Sequence, residues 1–441
     1  MVPHQKKQNP FLNPVVFSFL GIISAIEFIR MSLMLTLLPS FLLNLHYSRV
    51  QLGMVISANL LTDNLFKSGA GWLVDHKGPW PVLISGSLIV FSGVLLIVNF
   101  HSNFWLVLLA VILIGFGVAP TWPAAIAGSI QTVGEEKRAT AISVISVVWL
   151  AGGGLGPILM GFLIEPKFRH LLKKINLNIF YAYRTCFLIL LAIAVWAVIV
   201  SLVGYFSWRA LENKRKLDGG AHVSGAAAPD PTQTGWERLK AAAARLWHVK
   251  GLIPGMFVQT LAMGMLIPNM VPYATQVLGF SESQYSLLLL VGGAVAVIPM
   301  VFVGHISDRI GSKGFLVAGF FLAAAALFAL ISYGNRANIL IFVGAVGLSY
   351  AFIQPAWNAL LAGAIPPQQR GVLMGLFMSV EGLGFAVGPL LGGLLVTFSK
   401  RYGLTESMGT AVPFYVSSVL LVIMAFVYLV YPFQRYRLEE G

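Results

Sequence analysis

The stretch GWLVDHKG, residues 71–78, returns as GHISDRIG at residues 304–311, displaced by 233 positions. Both copies keep the frame Gly-x3-Asp-x2-Gly, as Gly71, Asp75 and Gly78 and then as Gly304, Asp308 and Gly311, with Arg309 beside the second aspartate. Working outward, other motifs repeat at nearly the same distance. Arg138, with Gly156-Pro157 downstream, returns as Arg370 with Gly388-Pro389, 232 positions on. Pro120-Thr-Trp122 returns as Pro355-Ala-Trp357, 235 positions on. Three motifs at nearly one spacing mark a duplicated unit whose halves run in the same direction.

Composition says what medium those halves occupy. The chain has 441 residues, a mean hydropathy of +0.82, 57% hydrophobic residues and 10% charged ones. That is too little charge to cover the surface of a soluble protein of this size. Apolar runs long enough to cross a bilayer as helices recur along the chain, and the alternating segments of a membrane β-barrel do not. Spans are expected near 15–44, 51–73, 82–100, 104–130, 138–164 and 181–207, then near 252–278, 284–306, 314–333, 338–363, 371–398 and 411–432. The expected fold is an all-α membrane protein of 12 transmembrane helices. It would comprise a six-helix bundle over 1–207, a cytoplasmic linker over 208–250 and a second six-helix bundle over 251–441.

Charge placement supports two cytoplasmic termini. Segments then assigned to the inside hold 18 Lys and Arg, those outside hold 8, and Arg30, Lys67 and Arg184 lie within spans. The net charge of +13 therefore points to basic cytoplasmic loops rather than to nucleic acid. One outer loop departs from this, with Lys167, Arg169, Lys173 and Lys174. The basic N-terminus runs straight into the first span with no small-residue cleavage site, so a retained first helix is expected. The linker is rich in Gly, Ala and Pro. It ends in WERLKAAAARLWHVK, which reads either as an amphipathic helix on the inner membrane surface or as a solvent-exposed linker helix. Cys186 is the single cysteine, so no intrachain disulfide can form. No metal, cofactor or catalytic grouping is expected, because no phosphate-binding loop, Ser-His-Asp set or metal-ligand spacing occurs.

GWLVDHKG and GHISDRIG resemble the loop signature that joins the second and third helices of each half in the major facilitator superfamily. The second copy is the better match, because His76 and Pro79 stand where the first would usually carry basic residues. The resemblance covers nearly the whole chain and implies alternating access, with these loops helping to hold one state. Gly152-x3-Gly156-Pro157-x3-Gly161, and its copy around Gly384, Gly388 and Pro389, resemble the fifth-helix signature of the family's antiporters. Small residues at that spacing also suit plain helix packing, and both readings stay open. The arginine common in the fourth helix of drug–proton antiporters would fall at Val111 and is absent.

Ionisable residues inside spans are costly and mark candidate function. Glu27 and Arg30 are three apart and Asp63 and Lys67 four apart, so each pair shares a helix face. Asp63 and Glu27 are candidate proton carriers, and Arg30, with Lys67, a candidate substrate anchor. A purely structural salt-bridge network is the alternative. Trp122, between Pro120 and Pro123, suits stacking on a sugar ring, or ordinary packing. In the second half the positions matching Glu27, Arg30 and Asp63 are Thr260, Met263 and Ala296, and the one clear mid-span acid is Glu381. Met256, Leu261, Met263, Met265 and Leu266 suggest an apolar half-cavity there, with Gln259 and Trp357 as polar or aromatic candidates for substrate contact.

A charged half beside an apolar half suits an amphiphile. The set Glu27, Arg30, Asp63 and Trp122 resembles the proton-coupled glycolipid flippases of lipoteichoic acid synthesis. That resemblance implies a proton-coupled antiporter in the cytoplasmic membrane of a bacterium. It would act as a monomer among membrane lipids and move a lipid-linked disaccharide with protons as the coupled ion. Export of hydrophobic drugs, or transport of a lysophospholipid, is the alternative.

Overall fold

The computed structural model describes residues 13–133, 138–165, 179–217, 251–364 and 370–431. The 208–250 linker's amphipathic segment and the basic outer loop at 167–174 lie outside them. Among the described residues the elements are helical and no strand occurs. In chain order they are α1 (Pro14–Ser32), a π turn (Leu33–Leu37), α2 (Leu38–Asn44), α3 (Arg49–Lys77), α4 (Pro79–Phe100), α5 (Phe104–Val118), α6 (Thr121–Val133), α7 (Arg138–Ile164) and α8 (Ile179–Leu217). Then come α9 (Ile253–Pro272), a second π turn (Tyr273–Val277), α10 (Glu282–Ile310), α11 (Ser312–Tyr333), α12 (Ile339–Ala364), α13 (Arg370–Arg401) and α14 (Glu406–Val430).

Ten helical stretches among the described residues are long and apolar enough to cross a membrane. Helices α3 and α9 are not among them. The physical reason is their polar cargo: α3 carries Asn59, Asp63, Asn64 and Lys67, and α9 carries Gln259, Thr260 and Asn269.

The chain divides into two units. The first takes Met1–Leu33, Thr62–Met160 and Arg169–Pro229. Within it α4 and α5 pack closely enough that a methyl group on Gly86 would fall 2.7 Å from the Gly117 carbonyl oxygen. Small residues permit this kind of approach between helices in lipid. Phe19 of α1 stacks on Trp80 of α4, ring centres 4.3 Å apart. Helices α5 and α6 form one rod broken at Ala119-Pro120, since Pro120 has no N–H to continue the ladder.

The second unit takes Met34–Leu61, Gly161–Phe168 and Asp230–Gly441, so α2 and the first turns of α3 belong with α9–α14. Its core centres on Phe320, Trp357 and Tyr428. The Tyr428 hydroxyl donates to the Gly251 carbonyl at 3.0 Å and accepts from the Gly255 N–H at 2.8 Å, tying α14 to the start of α9. Pro39 offers no N–H to the Leu35 carbonyl one turn back, and the Tyr285 hydroxyl supplies that donor at 3.1 Å. Such substitution is needed in lipid, where water cannot satisfy a freed backbone group.

The duplicated loops share one geometry. Gly78 and Gly311 both have positive φ, 81° and 114°, at the junctions α3/α4 and α10/α11. Their N–H groups close the preceding helices on Val74 and Ser307. Only glycine adopts this conformation freely, which accounts for the last position of each motif. The first position of each motif is roomier: a Cβ at Gly71 would meet nothing within 4 Å, and one at Gly304 only Pro355 at 3.7 Å among the described residues.

Candidate functional site

The first unit gathers Glu27, Arg30, Asp63 and Lys67 into one cluster. Helical spacing sets Arg30 one turn beyond Glu27, and the guanidinium folds back onto the carboxylate through two nitrogens. The Nε donates to Glu27 Oε2 at 3.0 Å, and Nη2 donates to Oε1. The remaining terminal nitrogen, Nη1, lies 3.8 Å from Asp63 Oδ2, which joins α1 to α3. Lys67 donates to that same oxygen at 2.9 Å. Two carboxylates and two cations therefore form a nearly neutral chain. Glu27, Arg30 and Asp63 are 3%, 7% and 2% exposed, while the Lys67 side chain keeps 36%.

The balance is incomplete at one atom. Asp63 Oδ1 is buried and accepts no hydrogen bond among the described residues. A buried polar oxygen left open is rare in a settled packing arrangement. Here it leaves a place where a proton or a substrate hydroxyl can attach.

The antiporter-like motif of α7 builds the other wall. Methyl groups at Gly152 and Gly156 would fall 2.5 Å from the Ser24 carbonyl oxygen and 2.6 Å from the Phe28 carbonyl oxygen, so α7 lies hard against α1. Between them a Cβ at Gly153 would stand 3.2 Å from Glu27 Cγ. Gly153 thus clears room for the Glu27 side chain, a role the sequence reading did not assign. The same reading missed Trp149, whose ring meets Trp122 edge-on at 5.7 Å. Its place one turn before Gly152 was the available signal. Both tryptophans are half-buried and pack with Ile23 of α1, one turn before Glu27.

Other candidates stand elsewhere. Trp357 is 1% exposed and Gln259 3% exposed in the core of the second unit, where the indole N–H donates to the Gln259 side-chain oxygen. Each satisfies the other, so direct contact with a substrate would require the pair to part. Met256, Met265 and Leu266 are likewise core residues, and Met263 is the exposed one of the set. The apolar surface expected of α9 is correspondingly smaller. Asp75 and Arg309 are exposed, and neither enters an ion pair among the described residues. Asp308 lies in the last turns of α10. Gly388 and Pro389 repeat the tight packing seen at Gly156 and Pro157, with a Cβ at Gly388 falling 2.6 Å from the Gly264 Cα.

The Major Facilitator Superfamily family model matches residues 20–253 and again 252–440, one copy per half. The chain belongs to that superfamily. Among curated proteins it is 28% identical over 386 residues to the proton-coupled antiporter flippase LtaA of Staphylococcus haemolyticus, covering 87% of this chain and 85% of that protein. It is 25% identical over 379 residues to the protein of the same name from Staphylococcus aureus, covering 85% and 84%. Solved superfamily folds superpose well. A bacterial homolog of the human lysosomal transporter Spinster, inward-facing and unoccupied, gives a TM-score of 0.74 at 16% identity over 97% of both chains. The nucleoside transporter NupG gives 0.70 at 16% identity over 95% of this chain and all of that one. The chain is a multi-pass transporter-family protein of the bacterial cytoplasmic membrane, with the all-α fold its sequence implied.

Proposed function

We propose that the protein is a proton-coupled antiporter that flips a lipid-linked disaccharide, or a similar amphiphile, across the cytoplasmic membrane. The observation that carries this reading is the buried cluster of Glu27, Arg30, Asp63 and Lys67 with Asp63 Oδ1 left open. A cluster that served only to join α1 and α3 could be replaced by apolar packing without loss of stability.

The cluster suggests how exchange works. With Asp63 ionised, a head-group hydroxyl donates to its open Oδ1 while Arg30 and Lys67 stay against the carboxylate. The Trp122–Trp149 pair lies beside them as a surface for a sugar ring. A proton added to Asp63 removes that acceptor and loosens the contacts to Lys67 and Arg30, which expels the head group. Proton and substrate thus compete for Asp63, which is antiport, and the two halves rock about it. The names of the staphylococcal relatives support the same assignment.

The test is flux through purified protein in proteoliposomes. With an inward proton gradient, a fluorescent diglucosyl-diacylglycerol should change leaflet while the lumen acidifies. Acidification driven by a hydrophobic dye but not by the glycolipid would transfer the assignment to drug export.

A further inference from the structure

The second unit holds a carboxyl that the proposed cycle leaves unused. Glu381 stands well inside α13, eleven residues beyond its first turn residue Arg370 and twenty before its end at Arg401. Its apolar stretch, Phe377–Arg401, is long enough to span the membrane. Glu381 is half-buried, and no hydrogen bond or ion pair reaches its carboxyl among the described residues. An acid at this depth is costly to keep and seldom serves packing. It faces a cavity or water rather than lipid if it is ever to ionise.

Among the described residues its surroundings hold no cation. Helix α9, packed against α13, has no charged or titratable side chain. Helix α14 contributes Glu406 in its first turn, Tyr415 and Tyr428, the last bonded to the backbone at Gly251 and Gly255. The first turns of α3, which meet α13 at Gly393, bring Arg49, which is paired with Gln276 and Glu406. On α12 the one titratable group is Tyr350. On α13 itself the cations sit at the ends, as Arg370, Lys400 and Arg401.

The duplication adds an independent observation. Subtracting the 232-residue displacement that relates α7 to α13, Glu381 corresponds to Trp149, which packs with Trp122 beside the charged cluster of the first unit. Glu381 therefore occupies the helix face that, in the other half, borders the candidate site.

We propose that Glu381 is a second proton-binding site of the transport cycle, working beside Asp63. This rests on the proton-coupled reading given above. A proton from the outer aqueous side adds to the Glu381 carboxylate and leaves to the cytoplasm after the halves rock, with nothing else transferred. At Asp63 protonation must loosen contacts to Lys67 and Arg30, whereas at Glu381 the proton comes and goes without parting an ion pair.

The experiment counts protons moved per diglucosyl-diacylglycerol flipped in proteoliposomes. Replacing Glu381→Gln should lower that ratio by about half, since one of the two proposed proton-carrying carboxyls, Asp63 and Glu381, no longer binds a proton, and Glu381→Asp should retain the wild-type ratio. An unchanged ratio in E381Q overturns the proposal, and so does an equal loss in E381D, which would mark a structural role. On unmutated protein, a hydrophobic carbodiimide should label Glu381 increasingly as pH falls, read by mass spectrometry. No labelling there overturns the proposal even if E381Q does not fold. Wild-type flipping that moves no protons overturns the proton-coupled reading itself, and this site with it.

Discussion

The helix pairs α1/α7 and α9/α13 are copies, yet one seats a carboxylate where its two helices cross and the other seats a threonine there. Both are drawn together by the same Gly-x3-Gly-Pro frame, at Gly152, Gly156 and Pro157 and at Gly384, Gly388 and Pro389. The difference lies one residue inside the frame. Gly153 leaves space that Glu27 fills, while the matching position holds Phe385. On α9 the residue matching Glu27 is Thr260, which lies against Gly384 and whose hydroxyl turns back to its own helix at the Met256 carbonyl, 2.9 Å away. The shared frame is thus a packing device. At the α1/α7 crossing the second glycine, Gly153, makes the room that Glu27 occupies.

Breaking the charged side should have the largest effect. Asp63→Asn should abolish proton-coupled flux in proteoliposomes while the protein still purifies as a monodisperse species. Arg30→Ala would leave Glu27 and Asp63 buried without their shared cation, at a cost of roughly 3–5 kcal/mol. A fall in thermal stability in detergent, together with weakened glycolipid binding, would show it; unchanged values of both would remove Arg30 from the site.

Charging the apolar side comes next. Thr260→Glu places a carboxylate against Gly384 with no cation near, and should lower the unfolding temperature. Adding Phe385→Gly should recover part of that loss, and a double-mutant cycle on thermal stability measures the coupling. Additive losses would mean that Phe385 does not stand in for Gly153. The smallest change is Gly153→Ala, which sets a methyl group 3.2 Å from Glu27 Cγ and should cost about 1–3 kcal/mol if the carboxylate cannot shift. Weaker coupling with normal folding would locate its effect at Glu27.

Much of this was legible in the sequence. The repeats gave the duplicated architecture because Gly78 and Gly311 each need positive φ, and such positions reveal themselves as invariant spacing within one chain. Glu27, Arg30, Asp63 and Lys67 stood out because charge in an apolar run has few structural explanations, and the structure does join them. Trp357 and Gln259 show the limit. Their side-chain types fit a ligand or a partner equally, and only the fold reveals that the partner is each other. Gly153 was hidden for the opposite reason. What matters there is a missing side chain, and its meaning depends on Glu27 from another helix.

The central claim is that the cluster around Asp63 couples protons to lipid movement. The most direct test places wild type and D63N in matched proteoliposomes and follows lumenal pH and diglucosyl-diacylglycerol flipping together under one imposed proton gradient. The account predicts gradient-driven flipping with matching acidification in wild type, and neither above the protein-free background in D63N. Proton-driven flipping at the wild-type rate in D63N would contradict it.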